Sequence, residues 1–156
     1  DTAYEGTKRL VMARVPKEQI RDRAAYEFFK GFDANGRPQW TKDIAQRGAV
    51  FENGPRGVYR TQVSYNPALK RYFMNQILIG SDYVRFQGGF GVYDAPEPWG
   101  PWTTAFFTPM WDVGPGENNH FPTKWMSADG KIMHLIFSGD DVFSVRKATV
   151  KLRQHQ

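Results

Sequence analysis

GVYRTQVSYNPALKRYFMNQILI, from Gly57 to Ile79, and HFPTKWMSADGKIMHLIFSG, from His120 to Gly139, follow the same plan. In the first, Val58, Arg60, Gln62 and Ser64 alternate with Tyr59, Thr61, Val63 and Tyr65. That period of two is the mark of a strand with two unlike faces. Asn66 to Lys70 is a turn, and Arg71–Ile79 is the apolar strand that returns from it. In the second, Phe121–Ser127 reads as the opening strand, and Ala128-Asp129-Gly130-Lys131 as an Asp-Gly hairpin turn. Ile132–Ser138 is the apolar return. The second unit begins about 60 residues after the first.

The segments around these units continue the pattern. Upstream lie strands over Lys8–Val15 and Ala25–Phe32 and a short outer strand over Pro38–Ile44. Pro16 stops the first, Lys17–Arg23 is a charged connection with room for one helical turn, and Asp33-Ala34-Asn35-Gly36 is a tight turn. Between the units, the glycine-punctuated Phe86–Tyr93 and Trp102–Phe107 are strands joined by the proline-locked loop Ala95–Pro101. After them, Gly139-Asp140-Asp141 turns the chain into a final strand, Phe143–Leu152. A long amphipathic helix is missing. Short strands spaced about ten residues apart predict an all-β sandwich, barrel or propeller. A strand-turn-strand unit that recurs at 40–60 residues selects the propeller.

Read this way, the chain is a single partial propeller domain of about two and a half blades: 1–50 the end of one, 51–112 a middle blade, 113–156 the last. A closed propeller has at least four. The expectation is therefore that Lys8–Val15 or Phe143–Leu152 pairs with a missing segment or another copy of the chain. The opening Asp1-Thr2-Ala3-Tyr4-Glu5-Gly6, with no initiator Met, likewise suggests the interior of a longer or processed protein.

Composition narrows the chemistry. The 156 residues include no Cys, so disulfides, thiolate metal sites and cysteine nucleophiles are excluded. No run approaches the ~18 apolar residues of a membrane-spanning helix, so no membrane partner is expected. The net charge of +5 is spread along the chain, densest at Lys17–Arg23, without the basic stripe of a nucleic-acid binder. Walker loops, dinucleotide fingerprints and serine-hydrolase elbows are absent, so no cofactor is expected. His120, His134 and His155 lack metal-ligand spacing, and Asp140-Asp141 is too small a set for calcium, so no metal is expected.

Several stretches carry a resemblance: LVMARVP (Leu10–Pro16), IRDRAAYEFFKG (Ile20–Gly31), QVSYNPALKRYFM (Gln62–Met74), GFGVYDAPEPWGPWT (Gly89–Thr103), FPTKWMSADGK (Phe121–Lys131) and FSGDDVFSVRKATV (Phe137–Val150). Together they resemble the carboxyl-terminal half of the bacterial family catalogued as domain of unknown function 4185. The resemblance implies a five-bladed β-propeller related to the furanosidase propellers, such as glycoside hydrolase family 43. It implies an endo-arabinanase-like activity on a furanoside polysaccharide such as arabinan, a carbohydrate partner, and a secreted or periplasmic setting. It also implies that an amino-terminal half is missing, and with it the first-blade carboxylate that acts as general base in the related enzymes. The alternative is a non-catalytic half-propeller that binds carbohydrate or assembles with itself.

Glycoside hydrolysis normally needs two carboxyl groups flanking the scissile bond. Glu27, an acid within the apolar Ala25-Tyr26-Glu27-Phe28-Phe29, is one candidate; burial there would favour its protonated form, and Arg23 is its candidate partner. The bland reading is an outward-facing ion pair. Glu117 is the second, in a glycine-bounded loop ahead of an inner strand, where Glu117, Asn118 and His120 can bond vicinal hydroxyls. Arg60, Gln62 and Ser64 on the inner strand of the middle blade, and Lys124 in the last, are expected to face the channel, where they either contact substrate or, equally, fill the channel. Glu27 and Glu117 are expected to converge with Arg60 and Lys124 on one polar surface. Trp99 and Trp102 fit blade packing better than sugar stacking.

Overall fold

The computed structural model describes residues 8–53, 59–79, 88–114 and 116–152. All twelve strands of the described residues pair antiparallel, in four sheets, and the helical content is limited to single 3-10 turns. β1 (Arg9–Leu10) and β2 (Ala13–Arg14) open the chain, followed by β3 (Glu27–Phe32), β4 (Pro38–Thr41) and β5 (Phe51–Glu52). β6 (Tyr59–Asn66), β7 (Arg71–Ile79), β8 (Gly88–Ala95) and β9 (Thr103–Thr108) come next, then β10 (Asn119–His120), β11 (Ile132–Phe137) and β12 (Ser144–Thr149). Strands are hydrogen-bonded in the orders β2-β3-β4, β6-β7-β8-β9 and β10-β11-β12, with β1 on β5. Three successive meanders, one of them with the full four strands, make the partial-propeller architecture expected from the sequence. No helix of the described residues is long and apolar enough to cross a membrane.

The middle meander is the best formed, and its turn chemistry explains why. The Asn66 side-chain carbonyl accepts from the Leu69 amide at 3.1 Å, closing the β6–β7 turn, and Lys70 takes the left-handed conformation at φ 52°. Arg71 clamps Asp94 across β7 and β8 (Nε to Oδ2, 2.9 Å), and Asp94 Oδ1 accepts from the Thr103 hydroxyl of β9 at 2.7 Å. Three strands are thus cross-tied at one end. In β7, Phe73, Asn75 and Ile77 share a face. Phe73 and Ile77 join Phe90 and Val92 of β8 against Phe121, Met133, Leu135 and Phe137, a cluster that fastens the middle meander to the last one. Trp111 fills its edge, stacked on Phe90 at 4.7 Å and tilted on Phe137 at 4.8 Å. The other face of the sheet meets the first part of the chain: Phe51 lies on Tyr93 (4.6 Å) and Trp40 on Trp99 (5.7 Å). Trp99 is thus a packing residue between sheets. Burial raises the Tyr93 phenol above its ordinary pKa.

Asn75 sits in this apolar face, 0% exposed, and among the described residues neither amide atom has a hydrogen-bond partner. A buried, unsatisfied amide costs about 1–3 kcal/mol, which an apolar side chain of similar shape does not incur. Asn75→Leu is therefore expected to raise the urea midpoint, by roughly 1–2 kcal/mol of stability. A lowered midpoint would show that the amide is satisfied by a group outside the described residues.

Three expected strands differ. Lys8–Val15 is not one strand: β1 pairs with Phe51–Glu52 and β2 with Glu27–Phe28, so the segment stitches two sheets together. Phe121–Ser127 is not a strand. Pro122, which has no amide hydrogen, precedes a 3-10 turn over Thr123–Trp125, and only Asn119 and His120 pair with β11. Pro38–Ile44 ends as a strand at Thr41, because the Asp43 carboxylate accepts from Ala45 N at 2.9 Å and caps a 3-10 turn instead. Two such turns occupy the charged connection, at Lys17–Gln19 and Arg23–Ala25. The Asp33 turn forms as read, with Asp33 Oδ1 accepting from Asn35 N and Arg37 N. The Asp-Gly turn forms too; the Ser127 hydroxyl first, and then the Lys131 amide, hold the Asp129 carboxyl below the usual carboxylate range. Val58, Phe86, Gln87 and His155, and the opening Asp1–Gly6, lie outside the described residues.

Candidate functional site

β6 and β10 are the first strands of their meanders, and they adjoin. Polar contacts join the two sheets along the length of β6, from Arg60 to Asn66. The expected alternation along β6 breaks at Arg60: the register with β7 shifts between Tyr59 and Gln62, and Arg60 has φ 45°. A bulge of this kind re-aims a side chain. Arg60 Nη2 stands 3.9 Å from Glu117 Oε2, both side chains about two-thirds covered, at 28% and 33% exposed. At that distance the two charges attract without a direct hydrogen bond.

The Glu117 loop is fixed to the turn after β11. The Ser138 hydroxyl accepts from Glu117 N (2.8 Å) and Asn118 N (3.1 Å), and Ser138 N donates to Asn118 O (3.1 Å). Gly116, at φ 69°, packs so closely on Ser138 that a β-carbon would strike its carbonyl oxygen. Asp140, left-handed at φ 49°, accepts from Gly114 N at 3.1 Å. The Asp140-Asp141 turn is thus a staple for this loop. Among the described residues no group of three His, Cys, Asp or Glu is placed to hold a metal ion.

β10 reaches β6 through both of its residues. Asn119 Nδ2 donates to Arg60 O at 2.9 Å, and His120 Nδ1 lies 3.2 Å from the Ser64 hydroxyl. Further along, the Thr123 hydroxyl donates to Tyr65 O at 3.2 Å. Of the residues expected at the site, these contacts gather Arg60, Ser64, Glu117, Asn118 and His120. They do not include Gln62, which is exposed on β6, or Lys124, exposed on the Thr123–Trp125 turn.

Glu27 belongs to a different setting. Its partner is Arg14 on the neighbouring strand, not Arg23: Arg14 Nη2 and Nε approach Oε2 at 2.7 and 2.8 Å, and the Glu27 side chain is 36% exposed. Arg14 also lies over the Trp40 ring, 3.9 Å from its centroid. The expected burial of Glu27 is not there, because β2 is an edge strand that delivers a cation to it. Arg23 is exposed in its own 3-10 turn. His134 Nδ1 donates to the Trp125 carbonyl, 2.9 Å away, and the residue is structural.

Two residues of the cluster escaped the reading of the sequence. Asn119 and Ser138 bear common polar side chains with no motif around them. The only available signal was glycine: Gly114, Gly116 and Gly139 bracket the segments that must approach each other closely.

No protein-family model matches the chain, and no curated protein matches it. Solved structures similar to it include an exo-beta-1,3-galactanase from Phanerochaete chrysosporium with galactose, at 12% identity and a TM-score of 0.48. Two variants of that enzyme with beta-1,3-galactotriose are similar at 16% and 14% identity, with TM-scores of 0.45 and 0.46. In each case the match covers 91% of this chain and 35% of the other. The chain thus spans about a third of the length of these structures.

Proposed function

We propose that the chain is the carboxyl-terminal portion of a glycoside-hydrolase-like propeller and forms part of the wall of a polysaccharide-binding channel. The ligand in this reading is a furanoside-type polymer such as arabinan, as the motif resemblance implies, in a secreted or periplasmic protein. The blades divide at 1–50, 51–112 and 113–156, and the ring is completed by an amino-terminal half or by another copy.

The observation that carries the reading is the half-covered Arg60–Glu117 pair at the starting ends of two inner strands, flanked by the Ser64–His120 contact. A cation and a carboxylate 3.9 Å apart leave room for one sugar hydroxyl to accept from the guanidinium and donate to the carboxylate. His120 and Ser64 supply a second donor and acceptor beside it. Hydrolysis needs a second carboxyl group within roughly 5–9.5 Å. Glu27, engaged by Arg14 in another sheet, does not join the contacts of this cluster. That favours the second reading, in which this chain binds the polymer and any partner carboxylate comes from the rest of the ring.

Isothermal titration of the full-length protein with arabino-oligosaccharides tests the proposal, with β-1,3-galacto-oligosaccharides as the comparison. Glu117→Gln removes a charged acceptor worth about 1.5–3 kcal/mol, so affinity for the arabinan fragments is expected to fall roughly 10- to 100-fold. Glu27→Gln is expected to leave it unchanged. Absent binding, or binding indifferent to Glu117→Gln, sinks the proposal; release of reducing ends that needs both glutamates restores the catalytic pair.

A further inference from the structure

We infer that Asn119 is a positioning residue of this site, acting through the backbone of Arg60; the inference rests on the carbohydrate reading above. In a regular strand Arg60 would share the face of Gln62 and Ser64. It does not, because the β6 register shifts there and Arg60 takes φ 45°, a conformation that residues with a β-carbon adopt at a cost. Such a conformation persists only where its surroundings hold it. One contact that holds it is the hydrogen bond from Asn119 Nδ2 to Arg60 O, 2.9 Å long.

The bond is well protected. Asn119 is 2% exposed, so no solvent competes for the amide. Its orientation is dictated by chemistry: Arg60 O is an acceptor only, so the amide nitrogen must face it. Asn119 is itself held in register, since it pairs with Phe137 of β11, the residue before Ser138. Ser138 fixes the Glu117 backbone through two amides, and Asn119 fixes the Arg60 backbone through one carbonyl. Both halves of the charged pair therefore hang from the same meander, although Arg60 belongs to its neighbour. The 3.9 Å spacing is set by these two backbone anchors and not by the flexible side chains alone.

Asn119→Asp keeps the shape and removes the N–H donor. Asn119→Ala removes it without adding charge and serves if the aspartate variant does not fold. Two readouts apply. The first is the Arg60 side-chain Nε–Hε resonance and its exchange with water, followed by NMR without any ligand. Its shift should collapse toward the random-coil position and its exchange should accelerate at least tenfold in the folded variant. The second is affinity for arabino-oligosaccharides, expected to fall at least tenfold. In an Arg60→Gly background, where glycine accepts the backbone conformation and the guanidinium is gone, Asn119→Ala should change affinity less than twofold. An unchanged Arg60 resonance in folded Asn119→Ala overturns the inference, as does an additive loss of affinity in the double variant. If the wild-type protein binds no arabino-oligosaccharide, the carbohydrate reading fails, and the resonance alone decides whether Asn119 positions Arg60.

Discussion

Phe121→Ala will cost about 3–5 kcal/mol, the loss typical of a truncated core phenylalanine. Phe121 is 2% exposed, among the most buried large side chains of the chain, yet it lies in no strand. It follows directly on the short β10 and drops into the cluster formed by Phe73, Ile77, Met133 and Leu135, between the middle and last meanders. Its removal opens a cavity at the seam that joins two sheets, so the loss falls on their attachment. For a domain whose whole stability is roughly 5–15 kcal/mol, that is enough to detach the last meander at ordinary temperatures. A shift in the urea midpoint, with a drop in the slope if the meander separates first, is the measurement. A cost below about 1 kcal/mol would mean that the seam repacks without it.

Gly116→Ala carries the second large effect, and it falls on the site. Its left-handed backbone and the contact with the Ser138 carbonyl leave no space for a methyl group. Strain at φ 69° and the loss of the two amide bonds to Ser138 together amount to about 3 kcal/mol. The loop is expected to lift, moving Glu117 away from Arg60. Affinity for arabino-oligosaccharide should fall as far as in Glu117→Gln, although the carboxylate is still present. Unchanged affinity in a folded Gly116→Ala protein would show that the loop has no fixed role.

The strands of the middle blade were legible because both of their signals are local. Arg71–Ile79 has the bounds read from its apolar run, and the Asn66–Lys70 and Ala128–Lys131 turns follow from Asn-Pro and Asp-Gly chemistry. Lys8–Val15 was misread for a nonlocal reason. Its two halves find different partners, Phe51–Glu52 and Glu27–Phe28, and no feature of an eight-residue run announces a change of sheet. Phe121–Ser127 misled because its burial belongs to one residue, Phe121, and not to an alternating set. At the site, Arg60, Glu117 and His120 stood out as charged or titratable groups in turn-bounded strands. The sequence could not show that Arg14 and not Arg23 would reach Glu27, since that depends on which edge strand lies alongside it. Asn119 and Ser138 act on backbone atoms of other residues, and a backbone partner leaves no mark in a sequence.

The strand order has a consequence for how the chain opens and closes. Within each meander every strand pairs with its neighbour in sequence; among the described residues only β1 with β5 reaches across another sheet. Loop-closure entropy for each meander is therefore small, and each can nucleate by itself. Between the middle and last meanders the attachment is a layer of side chains, not a shared ladder of strands. Cooperativity then resembles that of a linear array with nearest-neighbour coupling. Amides of β7, in the centre of the four-stranded meander, exchange only when that whole unit melts, while those of β11 and β12 exchange in a smaller, earlier opening. Because β6 and β10 lie on opposite sides of that seam, the same opening that exposes β11 separates Arg60 from Glu117.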